Sequence, residues 1–364
     1  MNRRTLPLVA IIVSLILVLW AAPGAPGICY RFSLVAVGDA LIHQGVYNAA
    51  RKEDGTFDFD PMLRLVKDHI EAHDLAFYNQ ETILGGVEIG LSTYPCFNSP
   101  REVGDAFIDA GFNLVSLANN HTLDRGEKGI LRSLEYWRDK ENILTAGSYS
   151  TGKDREHIRT MEVNGITCAL LAYTTVTNGL KPPKGKEYYV NVYDPETARA
   201  DVEKAKEKAD VTIVSMHWGN EYVFAPTEEQ KKIAEHLAEL GVHIVVGHHP
   251  HVVQPVTMIG DTLVIYSLGN FLSAQKELFK LIGLLVSLDV VKAETPEGAR
   301  ITLENVKGTL LYNPRRSPLG RYVVVPFDMM TEAILEGFTE VHSKFAARVK
   351  TDDTITIMAP AQAQ

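Results

Sequence analysis

The stretch that decides how the chain is interpreted is Val245-Val246-Gly247-His248-His249-Pro250-His251-Val252-Val253-Gln254. It continues an apolar run over residues 242–246, and a run of this kind ended by glycine predicts a buried strand. In the extended turn that we expect next, His249 and His251 are two residues apart and point the same way. Two neutral imidazoles aimed at one point indicate a divalent metal site, and the alternative is a histidine-rich surface loop.

Length and composition indicate a globular protein with a sizeable core. The chain has 364 residues, of which 46% are hydrophobic and 22% are charged. This is long for one domain, although α/β folds reach about 250 residues as a single unit. A net charge of −9 and the lack of a long basic stripe argue against a nucleic-acid partner.

The N-terminus carries the pattern of an export segment. Arg3 and Arg4 precede an apolar run over residues 6–22, which is slightly short for a bilayer span of about 20 residues. We interpret residues 1–27 as a single N-terminal membrane anchor plus linker, with the remaining chain outside the cytoplasm. A cleaved signal is the alternative and would make the protein secreted, although Pro23 weakens several candidate cleavage sites.

The three cysteines, Cys29, Cys96 and Cys168, do not have the spacing of metal ligands. An odd number cannot close completely into disulfides, and a Cys96–Cys168 bridge stays open at this stage.

Strands alternate with helices along most of the chain, which predicts an α/β protein. Besides the strand before the histidines, we predict strands over 32–37, 75–78, 113–117, 211–216 and 262–266 and helices over 61–73, 101–110, 127–140, 195–208 and 227–240. A hairpin is predicted at Asn164-Gly165. Alternating residues beyond 281 predict antiparallel strands, and the tail 346–364 is expected to be disordered.

Polar side chains suited to metal binding recur at the ends of these strands, where open α/β sheets bind ligands. They are Asp39, Glu81, Asn120, His217, His249 and His251. Taken singly, Asp39 could cap a helix and Glu81 could be a solvated loop residue. The spacing of His43 from Asp39 permits a shared ligand but does not require one.

If the strands are neighbours, the six side chains converge on one edge and suit two divalent ions such as Mn, Zn or Fe. Two metals about 3.5–4 Å apart activate water and hold a phosphoryl group. His121 would then donate a proton to the leaving group, oriented by Asp124.

Six motifs, in chain order, resemble the capsule, or poly-γ-glutamate, biosynthesis protein CapA family of the calcineurin-like metallophosphoesterase superfamily. They are Gly38-Asp39, Asn79-Gln80-Glu81, Ala118-Asn119-Asn120-His121-Thr122-Leu123-Asp124-Arg125-Gly126, His217-Trp218-Gly219-Asn220-Glu221-Tyr222, Gly247-His248-His249-Pro250-His251-Val252-Val253-Gln254 and Tyr266-Ser267-Leu268-Gly269-Asn270-Phe271. The resemblance implies a four-layer α/β/β/α sandwich over residues 28–345 and places the metal ligands at the six positions given above.

Two departures from the wider superfamily bear on the second metal. The first superfamily motif is usually Asp-x-His, whereas the first histidine here is His43. The bridging residue is usually an aspartate, whereas Glu81 stands here. Both differences bear on whether the chain has ordinary phosphatase turnover.

The resemblance implies a metal-dependent hydrolase of capsule or poly-γ-glutamate synthesis or export, acting on a phosphoester or related bond at the cell envelope. An alternative is a non-catalytic subunit that binds the anionic polymer within a membrane synthase complex. A third is a phosphodiesterase unconnected with capsule. The segment 174–192, with little periodicity, is an excursion near the active face or a plain surface loop.

Overall fold

A computed structural model of the chain describes residues 29–296 and 298–362. The predicted anchor or signal at residues 1–27 lies outside these ranges. Among the residues described, none of the helices combines the length and apolar character needed to cross a bilayer.

Within these ranges the strands form two sheets. The larger sheet contains β1 (Cys29–Ala40), β2 (Leu75–Asn79), β3 (Leu114–Ser116), β4 (Leu144–Ala146), β11 (Asn270–Leu272), β12 (Ile282–Thr295), β13 (Gly298–Tyr312), β14 (Val325–Pro326) and β15 (Thr356–Ile357). The smaller contains β5 (Thr160–Val163), β6 (Ile166–Thr174), β7 (Val211–His217), β8 (Ile244–His248), β9 (Val256–Ile259) and β10 (Thr262–Ile265).

The strand orders place the parallel strands on one side of the larger sheet and at the centre of the smaller one. The larger sheet runs β14-β13-β12-β1-β2-β3-β4, with β11 also beside β1 and β15 beside β13. The smaller runs β5-β6-β7-β8-β10-β9. β1 to β4 are mutually parallel, as are β6, β7, β8 and β10. β12 and β13 are antiparallel, which confirms the prediction for the region beyond residue 281.

The helices are α1 (Gln44–Ala50), α2 (Asp60–Leu63), α3 (Lys67–Glu71), α4 (Glu102–Asp109), α5 (Gly126–Arg138), α6 (Gly152–Glu156), α7 (Pro195–Lys206), α8 (Glu228–Glu239), α9 (Leu278–Leu281) and α10 (Phe338–Val349). Helices such as α4, α5, α7 and α8 cover the outer faces of the sheets, whereas α10 packs against the core between them.

The side chains of each strand alternate in direction, so they contribute to two different apolar cores. On β1, Leu34 and Ala36 join one apolar core with Ile213 of β7 and Val246 of β8, so this core lies between the two sheets. Because successive residues of a strand point to opposite faces, Val35 belongs to a different core.

The outer cores complete a four-layer arrangement. Val35 packs in a core that contains Phe107 of α4 and Trp137 of α5. On the far side, Val214 of β7 shares a core with Val202 of α7 and further residues of α8. The order helices–sheet–sheet–helices confirms the predicted α/β/β/α sandwich.

Local signals explain several elements. Thr227 and Gln230 form a reciprocal capping box at the start of α8, which satisfies two backbone donors. Asn164 and Gly165 have φ values of 50° and 80°, as a type I′ turn requires, and they join the antiparallel β5 and β6. The predicted hairpin is therefore confirmed.

Three sequence expectations need correction. The helix predicted over 61–73 is two short helices, α2 and α3, and the Arg64 guanidinium donates to the Pro61 carbonyl oxygen at 2.6 Å between them. The tail beyond 345 is ordered as far as it is described, because α10 continues to Val349 and β15 pairs with β13. The possible Cys96–Cys168 bridge does not form, since Cys96 is exposed and Cys168 is buried, both as free thiols.

Gly38 is a point where two backbone segments touch. A Cβ at this position would lie 1.8 Å from the carbonyl oxygen of Gly269, and the next residue, Asp39, donates its N–H to that same oxygen at 3.0 Å. The approach that positions Asp39 therefore requires glycine.

We expect Gly38→Ala to destabilise the protein by about 1–3 kcal/mol or more, because the added methyl group forces two backbones apart. Chemical denaturation measures the free energy of unfolding. Gly152→Ala is the matched control, since a Cβ there would meet only Tyr188 Cδ1, at 3.8 Å. Equal stability of the two variants would contradict the role given to Gly38.

Candidate metal centre

Asp39 lies at the end of β1, fully buried between β2 and β11. Asn79 Nδ2 donates to Asp39 Oδ1 at 2.8 Å, and His251 Nδ1 lies 3.2 Å from Asp39 Oδ2. Burial alone would raise the pKa of Asp39, but hydrogen bonds from His248 and His251 outweigh it and hold the pKa well below its usual range. Asp39 is thus an ionised carboxylate inside the protein.

Glu81 lies two residues beyond β2 and is also fully buried. Neither of its carboxylate oxygens has a hydrogen-bond partner, although Oε1 lies 3.6 Å from His251 Nε2 and 3.9 Å from His217 Nε2. Burial raises the pKa of Glu81 well above its ordinary value. A buried carboxylate without hydrogen bonds is costly, and a cation among these side chains would remove the cost.

The histidine stretch adopts a bend in place of the extended turn that we expected. His249 and His251 have φ values of 93° and 54°, in the left-handed region that residues other than glycine seldom occupy. Such backbone conformations cost about 1–3 kcal/mol each and cluster at functional sites. The bend brings ligand atoms of Glu81, His249 and His251 within 4.8 Å of one another.

His217 and Asn120 complete the other side of the cluster. His217 Nε2 lies 3.1 Å from Asn120 Oδ1, and the His217 and His249 ring centroids are 4.6 Å apart. Burial lowers the pKa of His217 well below its ordinary value and that of His249 to about 4. Both rings are therefore neutral at pH 7 and have a lone pair for a metal.

His251 differs from these two rings because it faces both carboxylates. Burial acts to lower its pKa, but the charge of Glu81 and the hydrogen bond to Asp39 outweigh burial and raise the pKa to about 9. A metal bound at His251 would compete with a proton for this ring, since metal ligands must be deprotonated.

His121 and Asp124 form a pair beside the cluster. His121 Nδ1 lies 2.7 Å from Asp124 Oδ2, which also accepts the Phe97 backbone N–H at 2.6 Å. The Phe97 ring packs edge-on against His121 at a centroid distance of 4.7 Å. The imidazole is therefore held in one orientation, with Nε2 as the ring nitrogen not used by Asp124.

The structure brings all six predicted ligand residues together, and His43 lies in the short segment between β1 and α1. His43 Nδ1 lies 2.9 Å from the Leu41 carbonyl oxygen and 3.3 Å from the Ala274 backbone nitrogen. Burial lowers the pKa of His43 to about 4.

Three contacting residues were missed by the sequence analysis. Asn79 holds Asp39, and Asn270 Oδ1 lies 3.0 Å from His251 Nδ1. His248 is fully buried, with Nδ1 3.3 Å from Asp39 Oδ1 and its ring tilted against Phe77. The sequence offered one indication of their role: each lies at the end of a strand, next to or near a predicted ligand or within one of the family motifs.

An open cleft of about 450 Å³ leads to the cluster. It is lined by His249, Asn220 and Glu221 and by residues 176–179. Asn120 Nδ2 donates to Asn178 Oδ1 at 3.4 Å, so the excursion over 174–192 does reach the predicted active face.

A sandwich of two sheets with buried carboxylates and imidazoles at the carboxyl ends of its strands defines a candidate metalloprotein of the α/β class. Sequence comparison specifies the family. The chain belongs to the bacterial capsule synthesis protein PGA_cap family, which matches residues 33–275.

Two relatives come from Bacillus. The PGA biosynthesis protein CapA of Bacillus subtilis is 36% identical over 168 residues, covering 46% of this chain and 44% of that protein. The capsule biosynthesis protein CapA of Bacillus anthracis is 32% identical over 183 residues, covering 49% and 44%. The chain thus spans somewhat less than half the length of these relatives.

Among solved structures, the 5′-nucleotidase of Candida albicans is similar with a TM-score of 0.42 and 12% identity, covering 73% of this chain and 52% of that chain. A hypothetical protein from Thermus thermophilus has a TM-score of 0.42 and 16% identity, covering 75% and 99%.

Replacing Glu81 tests the fit of the cluster to a cation. We expect Glu81→Gln to change stability little in chelator, because the native carboxylate has no hydrogen bond to lose. With Mn²⁺ or Zn²⁺ at about 100 times the dissociation constant, the native protein should gain about 2.7 kcal/mol and the variant much less. Thermal unfolding with and without metal measures both effects.

Glu53→Gln, at an exposed position, is the matched control and should keep the full metal-dependent gain. Equal stabilisation of the native protein and Glu81→Gln by metal would contradict a metal centre at Glu81.

Proposed function

We propose that this protein is a metal-dependent phosphoesterase that acts in the synthesis or export of an anionic capsule polymer, such as poly-γ-glutamate. The observation that carries the proposal is the Glu81 carboxylate, which is buried without hydrogen bonds and lies among imidazoles. Membership of the capsule synthesis family and the names of the Bacillus relatives support the polymer assignment.

The donor set suits two divalent ions, Mn, Zn or Fe, that share Glu81. Asp39, Glu81 and His251 would hold one ion. Glu81, Asn120, His217 and His249 would hold the other. Bound there, the ions supply positive charge that polarises a phosphoryl group and acidifies water.

The residues around the ions have separate tasks. Asn79 and Asn270 fix the orientation of Asp39 and His251 through contacts at 2.8 and 3.0 Å. His121, oriented by Asp124, would protonate the leaving oxygen through Nε2. Asn178 and Asn220 in the cleft would bind the polar substrate and limit its orientations.

The setting we propose is the cell envelope, with residues 1–27 as a single membrane anchor and the sandwich outside the cytoplasm. A cleaved signal would make the protein secreted. Membrane subunits of a polymer synthase are the partners that fit this setting. A relative from Mycobacterium tuberculosis that is 23% identical over 219 residues is named a probable polyglutamine synthesis accessory protein.

The central experiment combines elemental analysis with an assay on bis-p-nitrophenyl phosphate, using the full chain in detergent. We expect near two metal ions per chain and hydrolysis that falls to background in the His249→Ala, His251→Ala double variant. His157→Ala is the control, because His157 is exposed and lies outside the cluster. One ion or none, without turnover, would contradict the binuclear enzyme.

That negative outcome would instead favour a non-catalytic subunit that binds the polymer. The first motif supports this alternative, because the histidine stands four residues after Asp39 and not two as in the wider superfamily.

The role of His121 predicts a dependence on the leaving group. His121→Ala should slow hydrolysis of an alkyl phosphodiester by about 10²–10⁴-fold, because its alkoxide needs a proton. It should slow release of p-nitrophenolate far less, since that group leaves without protonation. Steady-state kcat values on both substrates measure this difference, and equal losses would contradict proton donation.

A further inference from the structure

Four cations beside the metal centre form a surface that we call the basic rim: Lys276, Arg315, Arg316 and Arg321. All four side chains are exposed. Among the residues that the structure describes, none of the four has a carboxylate within 4.0 Å. By contrast, the neighbouring Lys280 pairs with Glu277 at 3.1 Å.

A tight hairpin presents the three arginines. Ser317 and Gly320 exchange backbone hydrogen bonds at 2.9 and 3.0 Å, which closes the turn between Arg316 and Arg321. At the base, Asn313 Nδ2 donates to the Tyr322 carbonyl oxygen at 3.1 Å and joins the two arms. The arginines are thus held close to one another.

The base of the hairpin is anchored next to the metal centre. Asn313 Oδ1 accepts the Ser273 N–H at 2.8 Å, and Ser273 directly follows β11. The first residue of β11 is Asn270, which contacts the metal ligand His251 and donates to Gln275 Oε1 at 3.2 Å. Lys276 follows Gln275 directly, so the rim begins at the border of the centre.

The hairpin is fixed by packing. Tyr322 is 1% exposed and has a φ of 55°, and its hydroxyl is so close to Gly45 that a Cβ there would lie 2.3 Å away. The chain therefore keeps a strained, buried tyrosine at the point where the hairpin meets α1. A fixed array of cations loses less conformational entropy on binding than a mobile one.

The basic rim is positively charged, whereas the whole chain has a net negative charge. Residues 305–327 contain no aspartate or glutamate, although the net charge of the protein is −9. In α7 and α8, by contrast, lysines and arginines are interleaved with acidic residues. A basic patch on an acidic protein attracts polyanions locally while the remaining surface repels them.

We propose that the basic rim binds successive carboxylates of a polyglutamate chain and thereby guides the polymer to the metal centre. This inference rests on the proposed function, because it names the substrate class of that same site. Its occupant is an extended polycarboxylate, since the four cations are exposed and offer point charges to successive carboxylates.

The test uses fluorescence anisotropy of labelled poly-γ-glutamate with the full-length protein in detergent. Replacing Lys276, Arg315, Arg316 and Arg321 by glutamine should weaken binding at least about tenfold and flatten its dependence on salt. The matched control replaces the exposed Arg199, Lys204, Lys208 and Lys232 by glutamine, removing the same charge from the region of α7 and α8. The control should bind within about twofold of the native protein.

Equal weakening in both variants would show a bulk charge effect and would overturn the inference. So would unchanged binding in the rim variant, no binding by the native protein, or tighter binding of polyphosphate of equal length. Unfolding temperatures of all three proteins exclude misfolding as the cause of a loss. Metal content and phosphodiester hydrolysis of the native protein, measured on the same samples, report separately whether the proposed function fails.

Discussion

The structure depends on the placement of two carboxylates, Asp39 and Glu81, inside the protein without access to water. Ionised carboxylates lose most of their hydration on burial, so the fold must supply compensating charge or hydrogen bonds. Asp39 accepts hydrogen bonds from Asn79 Nδ2 and the His249 backbone N–H, and Nδ1 of His248 and of His251 lie 3.3 and 3.2 Å from its oxygens. Within the described part of the chain, Glu81 accepts no hydrogen bond, and the imidazoles of His251 and His217 lie 3.6 and 3.9 Å from its Oε1. This imbalance is the physical reason to regard the centre as built for cations.

Each sheet contributes half of the centre. Three of the side chains lie at or after the ends of strands in the larger sheet: Asp39, Glu81 and Asn120. The other three lie at or after the ends of strands in the smaller sheet: His217, His249 and His251. The apolar core between the sheets fixes the distance between them. This distance determines how closely the ligand side chains of the two sheets approach each other. The close backbone contact at Gly38 and the left-handed backbone of His249 and His251 then position the individual side chains.

Strand periodicity was sufficient for the alternation of strands and helices, and the four layers followed from the family resemblance. Polar residues at strand ends were sufficient to select six side chains that the structure brings together. The sequence was insufficient where a single long-range contact decides the outcome. Arg64 lies between α2 and α3 and donates hydrogen bonds to the carbonyl oxygens of Pro61 and Leu319. No local sequence pattern predicts a contact with residue 319. The order of the tail depends on Ile355, which is buried at 1% exposure, and on the pairing of β15 with β13. The left-handed φ values of His249 and His251 could likewise not be predicted from the sequence, because histidine does not prefer this conformation.

The separation of the ligands along the chain has a consequence for biogenesis. The first ligand is residue 39 and the last is residue 251, and strands from both sheets must be in place before they meet. An incomplete chain therefore lacks the full set of candidate donor atoms. The candidate centre is completed late in folding, after both sheets have formed and packed against each other.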